Sequence, residues 1–345
     1  MRIDPHVHCR DWKQSYKATI GDVFSLAKSQ GVNIIFDMPN TDPPIIYSVD
    51  VDRRLRTAEE QGVSEGYFLY IGVTSDRSQI REAVDVVKKN PKVVGLKMFA
   101  GRSVGDLSVI KESDQKTVYE TLSKLDYRGV ISVHCEKESL FRNDLWDPTR
   151  PETWNDARPE ISEVESIRDQ IKFAAQYSFK GTLHICHVST PMSVDVIRKA
   201  KKRGKISIVC GATPHHLFYS TDDMAENGLM LKVNPPIRSA ETRKNLMYEL
   251  LDGRIDWIET DHAPHTIDEK LNEPYASGIR SLELYSELIK KLNTMGVPKE
   301  RIDDLTYNNI VKVFRKAGPI TFERKDDSAV YNHPGTDGFR NYRKR

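Results

Sequence analysis

Asp4-Pro5-His6-Val7-His8-Cys9-Arg10 is the stretch from which the organisation of this chain can be worked out. Side chains alternate between the two faces of a strand, so His6 and His8 project from the same face of an extended segment. Two imidazoles on one face can bind one metal ion, and Arg10 continues that face and could hold an anion beside it. Two ordinary half-buried histidines are the alternative. Metal binding therefore requires further ligands elsewhere in the chain.

Length and composition limit the class of protein. The chain has 345 residues, of which 38% are hydrophobic and 30% charged, and its net charge is +2. This is enough for one large domain or two ordinary ones of a soluble globular protein. The interspersed charges give no reason to expect nucleic acid or a membrane as a partner. Four cysteines without regular spacing predict reduced thiols and a cytoplasmic location.

Eight short apolar segments alternate with helix-like segments along the chain. Strands are predicted over residues 3–8, 32–36, 67–73, 93–99, 130–134, 182–187, 206–210 and 255–260. This alternation predicts parallel β/α units, and eight of them indicate an α/β fold of the (β/α)₈ TIM-barrel type. An open doubly wound sheet is the alternative, but no Gly-X-Gly-X-X-Gly turn follows the first strand. We predict a catalytic barrel over residues 1–318 and a short C-terminal appendage or tail over 319–345.

Ligand-capable side chains recur where the predicted strands end. In chain order they are His6, His8, Asn40, Lys97, His134, His187, His215 and Asp261. The carboxyl ends of barrel strands share one rim, where such folds carry their chemistry. His134 and His187 could hold a second metal ion, while Asp261 could bind the first ion and exchange a proton. The sequence therefore predicts a metal site with two ions.

Lys97 does not fit this set as an ammonium, because an ammonium cannot bind a cation. Metal ions nearby would favour its neutral form, and a neutral amine can add carbon dioxide to become a carbamate. A carbamate has two anionic oxygens that can bridge two metal ions. A surface lysine is the alternative, but the apolar setting of residues 95–99 argues against it.

A set of motifs in this order resembles dihydroorotase, a family of the amidohydrolase superfamily. The motifs are residues 4–10, Met38-Pro39-Asn40-Thr41, Gly95-Leu96-Lys97, Val133-His134-Cys135-Glu136, residues 184–190, Pro214-His215-His216-Leu217, residues 234–238 and Thr260-Asp261-His262-Ala263-Pro264-His265. The resemblance runs from residue 3 to about residue 290. It implies a zinc-dependent hydrolase that reversibly cyclises N-carbamoyl-L-aspartate to (S)-dihydroorotate in pyrimidine biosynthesis.

The resemblance also implies roles for individual residues. The first zinc would be bound by His6, His8, carboxylated Lys97 and Asp261, and the second by Lys97, His134 and His187, with a hydroxide between the ions. Asp261 would be the general acid and base. Arg10, Asn40 and His265 would hold the substrate carboxylate, Asn234 would contact the substrate, and Gly278, with Ser277 beside it, would contact the ring amide through the backbone.

Some features depart from the family pattern or leave alternatives open. Residues 275–280 replace a glycine- and proline-rich segment, which weakens the assignment of Gly278. The chain begins at the first motif, so we expect the small β-sandwich of the relatives to be reduced or absent. Cys9, Cys135 and Cys186 each neighbour a predicted ligand and are expected to point away from the site as apolar packing.

Other functions and partners follow from the same resemblance. A related cyclic amidohydrolase such as a hydantoinase or allantoinase is the main alternative, and an inactive paralogue that scaffolds aspartate transcarbamoylase is a second. The chain could form a homodimer, and the enzyme itself could associate with aspartate transcarbamoylase. Its expected ligand is a small molecule.

Overall fold

The computed structural model describes residues 1–102 and 107–315. Eight parallel strands pair in chain order, each with the next. They are β1 (Ile3–Val7), β2 (Ile34–Asp37), β3 (Tyr67–Gly72), β4 (Val93–Ala100), β5 (Val130–Cys135), β6 (Thr182–Ile185), β7 (Ser207–Ala212) and β8 (Trp257–Ile258). The predicted tail over residues 319–345 lies outside the described residues.

The barrel closes between its last and first strands. Val7 pairs in parallel with His262, the amide of His8 donates to the His262 carbonyl at 2.8 Å, and the amide of Asp261 donates to the His6 carbonyl at 2.9 Å. The predicted (β/α)₈ barrel is confirmed. The predicted span of β8 was too long, because regular pairing gives way after Ile258 to the turn that carries Asp261.

Helices follow the strands and cover the outside of the barrel. The longer ones are Ile20–Ser29, Ser48–Glu60, Arg77–Lys89, Glu112–Lys124, Glu160–Gln176, Pro191–Arg203, Ala240–Leu251 and Tyr285–Thr294. Each overlaps a helix-like segment of the sequence. Short helices within the connections were not predicted, among them Trp154–Ala157, Pro214–Phe218, Thr221–Asn227, Ile267–Leu271 and Asn309–Phe314. No helix in the described ranges is long and apolar enough to cross a membrane.

Two apolar layers fix the position of the site. One lies between the strands and the outer helices, and the other fills the lower barrel interior around Phe36, Tyr70 and Trp257. Phe314 of the helix Asn309–Phe314 packs into this interior, with its ring centroid 5.0 Å from that of Phe36. The interior is thus filled with apolar side chains at its amino end, as expected for a packed barrel. The polar side chains lie at the carboxyl ends of the strands.

Candidate active site

The strand ends surround one cavity that contains nearly all of the predicted site residues. Its lining consists of His6, His8, Arg10, Asn40, Lys97, Phe99, His134, His187, Val233, Asn234, Asp261, Ala263, Ser277 and Gly278. Of the residues assigned a role from the sequence, His265 does not line the cavity. His215, which was included among the strand-end residues, is buried against His216 with ring centroids 4.4 Å apart.

His6, His8 and Asp261 form a compact group of potential ligands. One ligand atom from each lies within 4.8 Å of the others. Oδ1 of Asp261 is 2.9 Å from Nε2 of His8 and 3.3 Å from Nε2 of His6. Burial lowers the pKa of His6 to about 4 and that of His8 to about 3, so both rings are neutral at pH 7 and have a lone pair for a cation. The donor set fits a divalent metal ion.

His134 and His187 form a second group in the same cavity. Nδ1 of His134 lies 3.1 Å from Nε2 of His187. Two nitrogen ligands of a tetrahedral zinc ion, each bound at about 2.0–2.1 Å, would be ~3.3–3.4 Å apart. Within the described part of the chain, Nδ1 of His187 is buried without a hydrogen-bond partner. This spacing also fits a metal ion.

Two of these residues have an unusual backbone. His187 has a φ of 38° and Asp261 a φ of 49°, which is the left-handed region that non-glycine residues rarely occupy. His187 lies two residues after the end of β6 and Asp261 three residues after the end of β8, so both turns redirect the chain at the rim, beyond the alternation of strand side chains. Strain of this kind concentrates at functional sites.

Lys97 is fully buried on β4 and lines the cavity. Its Nζ lies 3.1 Å from Sγ of Cys186, so the expectation that Cys186 points away from the site was wrong. β6 ends at Ile185, and the alternation on which that expectation rested does not continue to Cys186. Cys9 and Cys135 do pack in the outer apolar layer, as predicted.

Further polar groups hold the ligand rings from behind. Nδ1 of His8 contacts Oδ1 of Asn40 at 2.7 Å, and Nε2 of His134 contacts Glu136 at 3.0 Å. Glu136 in turn pairs with Arg158, which together with His134 holds its pKa well below the usual range despite burial. A partner on one ring nitrogen fixes the tautomer and leaves the other nitrogen free for a metal. Asn40 therefore orients His8, a contact that the sequence did not predict.

Glu259 is the site residue that sequence reasoning missed. Its Oε1 accepts from the amide of His187 at 2.5 Å and lies 3.5 Å from Nδ1 of His6. Its Oε2 accepts from Nε1 of Trp257 at 2.9 Å and lies 2.9 Å from Nε2 of His184. Burial would raise the pKa of Glu259, but the His184 and His6 imidazoles hold it well below its usual range. The available signal was a carboxylate directly after Trp257-Ile258 within the predicted strand, since a buried charge requires partners.

Arg10 and His265 meet at the edge of the cavity. Nη2 of Arg10 is 3.3 Å from Nε2 of His265, and its Nε donates to the carbonyl of Pro264 at 3.2 Å. The side chain is 2% exposed and, within the described residues, pairs with no carboxylate. Asp261, Asp37 and Glu269 act on Arg10 only from beyond ion-pair distance, and a buried guanidinium without a direct carboxylate partner favours an anionic ligand.

The two other predicted substrate contacts are partly engaged within the protein. Oδ1 of Asn234 accepts from Nε1 of Trp154 at 3.1 Å. The amide of Gly278 donates to the Lys232 carbonyl at 2.9 Å, and its own carbonyl accepts from Nζ of Lys270 at 2.8 Å. A Cβ at Gly278 would lie 2.6 Å from the Ala263 carbonyl oxygen, so only glycine fits this approach.

Comparison with known proteins identifies dihydroorotases as relatives of this chain. No protein-family model matches it. The dihydroorotase of Halobacterium salinarum is 30% identical over 334 residues, which cover 94% of this chain and 74% of that protein. The dihydroorotase of Thermococcus kodakarensis is 34% identical over 284 residues, covering 81% of this chain and 59% of that protein. The chain thus spans between 59% and 74% of the length of these two relatives.

Solved structures share the fold. The L-hydantoinase (dihydropyrimidinase) from Arthrobacter aurescens superposes with a TM-score of 0.77 at 23% identity, covering 91% of this chain and 70% of that one. The dihydroorotase from Saccharomyces cerevisiae, in complex with 5-fluoroorotic acid, gives a TM-score of 0.74 at 18% identity, covering 91% and 84%.

A parallel barrel with histidines, a buried lysine and an aspartate at its carboxyl rim is typical of the class of metal-dependent amidohydrolases, to which the dihydroorotase relatives belong. Within that class, the sequence relatives are more specific than the shared fold. The chain belongs to the dihydroorotase family of metal-dependent cyclic amide hydrolases.

Proposed function

We propose that this chain is a dihydroorotase, which cyclises N-carbamoyl-L-aspartate to (S)-dihydroorotate reversibly in pyrimidine biosynthesis. The observation that carries the choice of substrate is the buried Arg10, which lines the cavity and lacks a carboxylate partner among the described residues. Both molecules retain a free carboxylate throughout the reaction, and a guanidinium fork matches a carboxylate in charge and shape. Hydantoin lacks this carboxylate.

Two zinc ions fit the donor atoms. His6, His8 and Asp261 would hold one ion, His134 and His187 the other, and the carbamate of Lys97 would bind both. Support comes from the neutral imidazoles, the converging nitrogens and the buried position of Lys97 beside them. When bound, the ions would lower the pKa of a water molecule and polarise the carbonyl oxygen of the ring amide.

The side chains of the cavity would supply binding and proton transfer. In the hydrolytic direction Asp261 would accept the proton of the attacking water at a carboxylate oxygen and deliver it to the leaving amide nitrogen. Arg10 and His265 would hold the substrate carboxylate, Asn40 would keep His8 in its tautomer, and Asn234 would offer its amide to the ring.

A substrate comparison tests the proposal. Purified protein loaded with zinc should hydrolyse dihydroorotate and also form it from N-carbamoyl-L-aspartate, whereas hydantoin and dihydrouracil should be poor substrates. Turnover of hydantoin without turnover of dihydroorotate would identify a different cyclic amidohydrolase. Absence of turnover with all three rings, at full zinc content, would favour the scaffolding alternative.

Assembly and location stay predictions. A homodimer and an association with aspartate transcarbamoylase follow from the family resemblance, and a cytoplasmic location follows from the four irregularly spaced cysteines. Sedimentation of the protein alone, and then with purified aspartate transcarbamoylase, would test both assemblies directly.

A further inference from the structure

Two buried lysines join three connections at the rim of the barrel. Lys232 is 4% exposed and lies two residues before Asn234, in the connection after β7. Lys270 is 2% exposed and belongs to the helix Ile267–Leu271, in the connection after β8. The third connection, after β5, contributes Trp154. Neither lysine has a role in the proposed reaction.

Lys232 contacts both of the other connections. Its Nζ donates to the carbonyl of Tyr275 at 2.6 Å and to Oγ of Ser277 at 2.8 Å. The same ammonium lies 4.0 Å from the ring centroid of Trp154, a cation–π distance. Nε1 of Trp154 then donates to Oδ1 of Asn234 at 3.1 Å. The side-chain oxygen of Asn234 therefore faces Trp154, and its NH₂ group faces away from Trp154.

Lys270, in the connection after β8, contacts the connection after β7. Its Nζ donates to the carbonyls of Lys232 and Gly278, each at 2.8 Å. The Lys232 carbonyl also accepts from the amide of Gly278 at 2.9 Å. The backbone around Asn234 and the backbone around Gly278 are therefore held together by both ammonium groups and by a direct hydrogen bond.

Burying two ammonium groups side by side is unfavourable. Desolvation lowers the pKa of Lys232 to about 7, with the charge of Arg158 adding to the effect. Desolvation also lowers the pKa of Lys270 to about 7, and the charge of Lys232 adds to it. Apolar side chains at these two positions would make the fold more stable, because buried charges without a counter-ion lower the free energy of unfolding. The lysines are therefore expected to serve the site.

We infer that Lys232 and Lys270 are positioning residues, which fix Asn234 and Gly278 at the cavity that Arg10 also lines, so that the substrate ring is held by both segments as well as by Arg10. The inference rests on the proposed function for the identity of the substrate. The lysines act only through the segments they hold and do not touch the proposed metal ligands. Their loss should therefore weaken substrate binding more than it weakens the chemical step.

The test compares Lys232→Met and Lys270→Met with the parent protein. Methionine keeps most of the apolar stem and removes the donors. We expect the KM for dihydroorotate to rise about 10-fold or more, with kcat and zinc content within about 3-fold of the parent. In Lys270→Arg, which keeps donors and charge, the KM should recover in part. Lys201→Met is the matched control, because Lys201 pairs with Asp256 away from the cavity.

A second measurement does not depend on turnover. Amide hydrogen exchange of residues 232–234 and 275–278 should quicken in both methionine variants and not in Lys201→Met. If the parent is active and the methionine variants keep its KM, or if exchange in these segments is unchanged, the inference is overturned. A kcat that falls in step with zinc content would assign the lysines a structural role only. If exchange quickens in the two methionine variants as expected but the parent does not turn over dihydroorotate, the proposed function alone is refuted.

Discussion

Replacing Glu259 with glutamine should weaken metal binding although Glu259 is not a proposed ligand. The carboxylate contacts one ligand from each group, since it accepts from the amide of His187 and lies beside Nδ1 of His6. Glutamine has nearly the same volume, so the change removes the charge and one acceptor without leaving a cavity. Outer carboxylates of this kind raise the basicity of a ligand imidazole and fix its orientation.

The magnitude follows from the contacts. The two carboxylate oxygens accept from the amide of His187 and from Nε1 of Trp257, and both of these groups can only donate. Glutamine offers an NH₂ in place of one oxygen, so whichever way it turns, one buried N–H loses its acceptor. A buried donor left unsatisfied costs about 1–3 kcal/mol of folding free energy. For zinc we expect a loss of affinity of about 10–100-fold, the range found for partners of metal-binding histidines.

The assay is zinc affinity measured against a competing chelator, together with the free energy of unfolding of the metal-free protein. Glu163→Gln is the matched control, because Glu163 is equally buried but contacts Ser189 and Arg238 and no proposed ligand. The control should lose stability and keep its zinc affinity. An unchanged zinc affinity in Glu259→Gln, or an equal loss in both variants, would refute the reasoning.

Three further predictions concern other residues of the rim. Lys97→Ala should bind fewer zinc ions per chain and lose at least about 100-fold in kcat, because the shared ligand is gone; metal analysis and a dihydroorotate assay check this. Arg10→Lys should raise the KM for dihydroorotate about 10–100-fold with little change in kcat, since a lysine cannot form the planar fork, and steady-state kinetics would show it. The pKa of Lys270 is about 7 when folded and near 10.5 when unfolded, so the unfolded chain binds more protons between these values. The parent should therefore gain about 1–3 kcal/mol of stability relative to Lys270→Met between pH 7 and pH 9 in denaturant titrations.

The fold could be predicted from the sequence because parallel strands covered on both sides are continuous apolar runs. Seven strands match their predicted positions closely, whereas β8 is reduced to Trp257–Ile258. The sequence continues with Glu259-Thr260-Asp261, whose side chains bond to His187, Asp4 and His8. These side-chain hydrogen bonds interrupt the regular strand, and they cannot be predicted from the pattern of hydrophobicity.

The ligand-capable residues of the cavity could be predicted because strand ends in a barrel share one rim, so position in the sequence implies proximity, whereas Asn234 and Gly278 were inferred from the family resemblance. Lys232 and Lys270 could not, because each acts through contacts between distant connections, and for Glu259 the sequence held only the signal of a charge inside a predicted strand. The same limit explains the error at Cys186, where an alternation rule was extended one residue beyond the end of its strand. Side-chain alternation predicts which way a residue points within a regular strand. Just past the end of the strand, tertiary contacts determine that orientation.

The join between β8 and β1 and the first group of ligands are built from the same residues. The backbones of His6 and Asp261 bond to each other, as do those of His8 and His262. The side chains of His6, His8 and Asp261 converge on the cavity side of this join. A metal ion held by the three side chains would therefore span the place where strand pairing is least regular. Metal binding there would in this way be linked to barrel closure, because a cation would bind the closed barrel in preference to an opened one.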